Sequence, residues 1–315
     1  MDIRSTYTKL DHRLRADGNF STFAWITVAL GYVISYQLLA VGGYEWVLFR
    51  DAAFNGGIAG RVANPPYIFA LLYPLFLLSL RVGIFIYSLV GIGAVYTTHR
   101  LTGINKWLLL ASFPVLQNLF SAQLDPLSLL GVALGWWAIQ EKRPYHLGIS
   151  LVLLGIKPHV TGALAIVYLI WGWHPTVLVA PALVLLYSFA IYGFWLPGWL
   201  ESIVGQSSGG NPFFNGGIGA YPYGLLLWLP ILLGRRVYNR LQLANAVIAA
   251  TILSMPYVGS YSVMAFLGLP VSWMTYLFVL PLYLVLDIRP FLILVVLYPI
   301  GFFFWQRARF ARSVG

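Results

Sequence analysis

The chain has 315 residues, of which 60% are hydrophobic, 17% aromatic and only 9% charged, with a mean hydropathy of +0.80. A soluble domain carries about 25% charged residues, so this composition excludes a water-soluble enzyme, a disordered chain and a nucleic-acid-binding domain. It predicts a polytopic integral membrane protein. The net charge of +10 is then cytoplasmic anchoring charge, and the absence of cysteine removes disulfides, thiolate nucleophiles and Cys-based metal sites.

Residues 1–19 are polar and hold Arg4, Lys9, Arg13 and Arg15, interleaved with Ile3, Tyr7, Leu10 and Leu14. That pattern predicts a cytoplasmic segment lying along the membrane interface, with no cleavable signal peptide. The first span, Ser21–Ala40, leads outward into a loop over residues 41–81. Further basic clusters at His99–Lys106, Glu141–Arg143, Arg235–Arg240 and Arg307–Arg312 are placed inside. These anchors make crossings of Val82–Thr98, Trp107–Phe120, Leu127–Gln140, Pro144–Ile156, Val160–Trp173, Val177–Pro197, Tyr223–Leu233 and Leu241–Ser254, with two or three more before Trp305. The expectation is an all-α, single-domain transmembrane bundle of about ten or eleven spans, both termini cytoplasmic. Tyr67–Leu80 would upset this alternation if it crossed, so it is read as a helix on the outer face. A second outer loop, polar and glycine-rich, occupies residues 201–222, and a third outer turn lies around Pro256–Tyr261. The many prolines predict broken helices lining a cavity.

Sorting charge by side shortens the list of functional candidates. Asp2, Asp11, Asp17 and Glu141 fall in cytoplasmic segments; Glu45, Asp51, Asp125, Glu201 and Asp287 remain outside. Arg50, Arg61, Arg81, Lys157 and Arg289 oppose the positive-inside pattern, and charge placed against that preference points to function. Asp51 beside Arg50 can serve as a general base, or pair with Arg50 in an ordinary loop. Asp125 before Pro126 fits a helix N-cap, while Gln123 and Asp125 together also suit an outer polar cavity. Lys157-Pro158-His159 closes the next outer hairpin, where cationic groups suit a phosphate; snorkelling of Lys157 is the plainer alternative.

Three stretches carry a resemblance: Ala63-Asn64-Pro65-Pro66-Tyr67 running to Tyr73-Pro74-Leu75, Ser121-Ala122-Gln123-Leu124-Asp125-Pro126-Leu127, and Gly155-Ile156-Lys157-Pro158-His159. In this order, with Asp51 upstream, they resemble the GT-C superfamily of polytopic glycosyltransferases, within it the family 87 branch related to polyprenyl-phosphate-mannose-dependent mannosyltransferases. The chain departs from that pattern at Asn64, where a tyrosine is usual, at Ala122, where a glycine is usual, and at Tyr261-Ser262, where a tyrosine-aspartate pair is frequent. The resemblance implies an inverting sugar transfer at the outer membrane face, from a lipid-linked donor to a glycolipid or glycan hydroxyl. In that scheme Asp51 is the base, and Lys157, His159, Arg61 and Arg50 hold the donor phosphate. Gln123, Asp125, Asn64 and Tyr67 bind sugar or acceptor. No cofactor is called for; metal dependence is left open, although one aspartate with scattered neighbours makes a poor Mg²⁺ site. The implied setting is a multi-pass prokaryotic plasma-membrane protein of the cell envelope. Two rivals use the same residues: a secondary transporter of an anionic or sugar-like substrate, and a non-catalytic membrane subunit of an envelope-assembly complex.

Overall fold

A computed structural model describes residues 19–38, 43–57, 64–208, 221, 223–234, 239–255, 258–270 and 301. All regular structure among the described residues is helical. In chain order the helices are α1 (Asn19–Leu38), α2 (Tyr44–Phe54), α3 (Pro66–Phe76), α4 (Leu80–Thr102), α5 (Lys106–Ala111), α6 (Phe113–Ser121) and α7 (Asp125–Gln140). They continue with α8 (Pro144–Leu154), α9 (Pro158–Trp171), α10 (Val179–Tyr192), α11 (Leu196–Ser208), α12 (Trp228–Gly234) and α13 (Arg240–Ser254). Short 3₁₀ turns cover Pro175–Leu178, Tyr223–Leu227 and Ser260–Gly268. The interfacial segment 1–18, most of the glycine-rich loop, and the two or three spans expected up to Trp305 lie outside the described residues, apart from Ser260–Gly268.

Among the described residues two segments are long and apolar enough to cross a membrane, Leu80–Thr102 and Pro175–Tyr192. The second leaves Leu178, Val179, Leu183, Leu186, Tyr187 and Ile191 exposed along its length. Water would not tolerate so continuous an apolar face, whereas lipid tails would. With the composition, this defines a helical membrane protein. Other expected crossings are shorter. Trp107–Phe120 is broken at Ser112, because Pro114 in the next turn has no N–H to donate and its ring crowds the carbonyl of Leu110; the Ser112 hydroxyl donates to Leu109 O (2.7 Å) at the break. The start of the second outer loop is helical, since α11 continues through Ser208 and carries Glu201.

The loop expected over residues 41–81 is largely two short helices. The α2 helix buries Trp46, Phe49, Ala52 and Ala53, with the Trp46 ring packed on Phe76 (4.6 Å) and Tyr87 (4.7 Å). The α3 helix buries most of its length, including Tyr67, Ile68, Phe69 and Phe76. Together with Ala122, Leu124, Leu127, Ile156 and Trp195 they form one apolar cluster. The basic turns lie at the far ends of the same helices. His99 and Arg100 end α4, whose first half holds Tyr87, and Glu141–Arg143 follow the end of α7, whose first residue is Asp125.

Candidate functional site

Three chain reversals meet inside that cluster. The α6 helix ends at Ala122, which takes a left-handed conformation (φ 54°), so that Gln123 N donates back to Asn118 O (3.0 Å). A side chain at positive φ costs about 1–2 kcal/mol, which gives a physical reason for glycine as the usual residue there. The carbonyl of Gln123 accepts from the buried Tyr87 hydroxyl (2.9 Å), fixing the turn that opens α7.

Asp125 is the first residue of α7, and Leu124, not Asp125, holds the capping position. Its carboxylate does not cap the helix but pairs with Lys157, with Nζ 2.5 Å from Oδ2. Lys157 stands between α8 and α9 and also donates to Gln123 Oε1 (3.4 Å). Asp125, Lys157 and Gln123 are 3%, 4% and 3% exposed. Snorkelling is therefore not what Lys157 does: its ammonium is withdrawn from the surface and paired. A buried charge of this kind persists only when paired and hydrogen-bonded.

The third reversal is the start of α2. Gly43, at φ 84°, donates its N–H to Phe120 O (3.0 Å), tying α2 to the end of α6. Glu45 in the first turn is brought to the Gln123 side chain and feels both Lys157 and Asp125. Burial pushes the Glu45 carboxyl above its ordinary range of 4.5; Lys157 pulls it down and Asp125 adds to the rise.

Asp51 lies elsewhere. Six residues beyond Glu45 at about 100° per residue, it is rotated roughly a third of a turn away. It is exposed and accepts from Asn55 Nδ2 (2.9 Å). Arg50 stacks over the Phe54 ring (5.6 Å) on that same outward side. Asn64 and Tyr67 have backbone partners: Asn64 Nδ2 donates to Ile156 O (2.9 Å) and the Tyr67 hydroxyl to Val152 O (2.7 Å). His159 is half-buried in the first turn of α9, two residues from Lys157. Arg61 lies outside the described residues. Of the predicted site residues the structure thus gathers Gln123, Asp125 and Lys157, and it adds Glu45. The signal for Glu45 was in the sequence. Glu45, Phe49 and Ala52 share one helical stripe, whereas Val47, Asp51 and Phe54 share another. Among the described residues no three His, Asp or Glu side chains converge as metal ligands.

A helical membrane protein with a buried carboxylate, amide and lysine, and a second, half-buried carboxylate beside them at a junction of helix ends, has the parts of an acid–base or anion-handling enzyme. Residues 63–218, about half of the chain, match the model of glycosyltransferase family 87. The matched stretch includes α3, α7 and the Lys157 turn, the parts that carry the resemblance seen in the sequence, and the protein is a glycosyltransferase of this family. No curated protein and no solved structure matches the chain.

Proposed function

We propose that the protein is an inverting glycosyltransferase that takes a polyprenyl-phosphate-linked sugar, mannose-like, at the outer membrane face and transfers it to a glycolipid or glycan hydroxyl. Glu45 is the general base. Lys157, with His159 nearby, meets the donor phosphate, while Gln123 and Asp125 hold sugar hydroxyls. The acceptor oxygen attacks the anomeric carbon from the side opposite the phosphate, the carbon–oxygen bond to phosphate breaks with its electron pair, and the acceptor proton passes to Glu45. The reading is supported above all by the convergence of Glu45, Gln123, Asp125 and Lys157 at the helix ends remote from the basic turns. By the positive-inside rule, those ends face outward.

The charges suit the chemistry. With Glu45 and Asp125 ionised against Lys157, these three sum to −1. When Glu45 takes the acceptor proton they sum to zero, at the moment the departing phosphate gains negative charge. Proton transfer and leaving-group stabilisation thus reinforce one another. The raised affinity of Glu45 for protons fits a base working nearer neutral pH than a free carboxylate.

The test is sugar transfer from polyprenyl-phosphate mannose to extracted envelope glycolipid by the purified protein in lipid vesicles. Glu45→Gln should abolish transfer and Asp51→Asn should leave it intact. The reverse result would return the base to Asp51.

A further inference from the structure

The end of α8 is where a helix leaves its last carbonyls without intrahelical donors. Here three side chains from outside that helix supply them. Tyr67 Oη donates to Val152 O (2.7 Å), Thr161 Oγ1 to Leu154 O (2.5 Å) and Asn64 Nδ2 to Ile156 O (2.9 Å), so two carbonyls of the last turn of α8 and one just beyond its end are each held. Thr161 Oγ1 also lies 3.2 Å from Lys157 O. Gly155 lies beneath Tyr67, where a Cβ would stand 2.7 Å from the hydroxyl. Lys157 follows directly, with backbone angles (φ −124°, ψ 74°) that belong to neither flanking helix. Its carbonyl is fixed by α9, accepting from Val160 N (2.9 Å) and Thr161 N (3.0 Å); on the other side, where α8 has ended, the trio holds the turn that leads into it.

We propose that Asn64, Tyr67 and Thr161 are positioning residues that aim the Lys157 ammonium at Asp125 and Gln123. Their work is to hold the Gly155–Lys157 turn. This assigns the Asn-Pro-Pro-Tyr stretch to the lysine turn rather than to sugar contact. Pro65 and Pro66 stiffen the link, so that Asn64 and the first turn of α3 meet α8 in one register. The phosphate role of Lys157 rests on the preceding section, but the aiming does not.

The experiment reads the lysine directly. The full chain in lipid nanodiscs is acetylated with an N-hydroxysuccinimide ester, and each lysine is quantified by mass spectrometry. Lys142, which is exposed, and Lys106, which is 1% exposed at the opposite end of the bundle, serve as internal references. Tyr67→Phe and Thr161→Val remove one hydroxyl each with little change of shape. Each should raise labelling of Lys157 by about fivefold, the factor one hydrogen bond carries, with Lys106 unchanged. Thr161→Ser, which keeps the hydroxyl, should label like the parent protein.

Unchanged Lys157 labelling in both variants overturns the proposal, and so does a rise at Lys106 of the same size, because that means general loosening. A parallel binding measurement with polyprenyl phosphate in the nanodiscs separates this result from the donor-phosphate reading. If Lys157→Met binds the lipid phosphate as the parent does while Tyr67→Phe still unmasks Lys157, the phosphate role falls and the positioning role stands. If Lys157→Met weakens binding and Tyr67→Phe weakens it in the parent but not in the Lys157→Met background, both stand.

Discussion

The two faces of α2 carry one carboxylate each, and they live in different media. Glu45 shares its stripe with the buried Phe49 and Ala52, meets the Gln123 side chain and feels the charges of Lys157 and Asp125. Asp51 shares its stripe with the exposed Val47 and Phe54 and meets the Asn55 amide. A proton moving on or off Glu45 changes the charge of a cluster in surroundings of lowered dielectric, where it acts on every neighbour. The proposed mechanism uses a group of this kind, although both residues look alike in a list of acids.

The largest effect expected is on transfer itself. Loss of a general base removes about 10²–10⁴ in rate, so Glu45→Gln should drop sugar transfer by about that factor, measured as labelled product per minute in vesicles. Asp51→Asn should remain near the parent rate. Lys157→Met comes next: removal of a charge that stabilises a departing anion costs about 10²–10³. Its loss also leaves Asp125 buried without its cation, so the folded fraction must be measured alongside. An equal loss on Asp51→Asn would erase the contrast between the two faces.

A subtler break is in pH. Burial raises the Glu45 pKa, and the base must be ionised, so transfer should fall as pH drops through a midpoint above the ordinary carboxylate range. Lys157 holds that pKa down against the burial. The residual activity of Lys157→Met should therefore show its midpoint at higher pH than the parent. The stability has the opposite sign. A folded-state pKa above the unfolded one means that protonated Glu45 favours the fold. That contribution is present below the unfolded pKa and is lost as pH rises through the folded one. Glu45→Gln should then melt higher than the parent at neutral pH, with the gain shrinking in acid. An Asp51→Asn protein that reproduced either shift would remove the distinction.

Much of this was legible before the structure. Proline and charge placement marked the starts of α7, α8 and α9 to within a residue or two, because Pro126, Pro144 and Pro158 each stand in a first turn where a missing N–H costs nothing. The pairing of Asp125 with Lys157 was not legible. Both sit at helix starts 32 residues apart, and each alone has an adequate local explanation as a cap or a snorkelling end. The family resemblance implies that Asn64 and Tyr67 bind sugar or acceptor, but nothing in their spacing reveals that carbonyls of α8 take their donors. Glu45 was passed over because the segment reads as a loop, where every acid counts equally. Once 44–54 is a helix, its periodicity separates the two acids without further information.

The smallest effects expected are at the two ends of α2, where Gly43 (φ 84°) and Gly56 (φ 81°) both need the left-handed region. Alanine at either should cost about 1–2 kcal/mol of stability, read from thermal or denaturant unfolding. Their surroundings differ. A Cβ on Gly43 would stand 2.5 Å from Ile84 Cδ1, and that residue also anchors α2 through the N–H given to Phe120. A Cβ on Gly56 would meet nothing within 4 Å. Ile84 Cγ1 and Cγ2 would stand 3.1 and 3.2 Å from the Cβ on Gly43 as well, so swinging the terminal methyl aside does not clear the contact and the start of α2 must shift. Glu45, the proposed base, lies only two residues on and moves with it, whereas Asp51 lies at the far end of the helix. Gly43→Ala should therefore lower transfer beyond what its stability loss explains, and Gly56→Ala should lose stability while transferring sugar at the parent rate. Equal transfer by the two proteins would mean that the start of α2 does not set the position of the base.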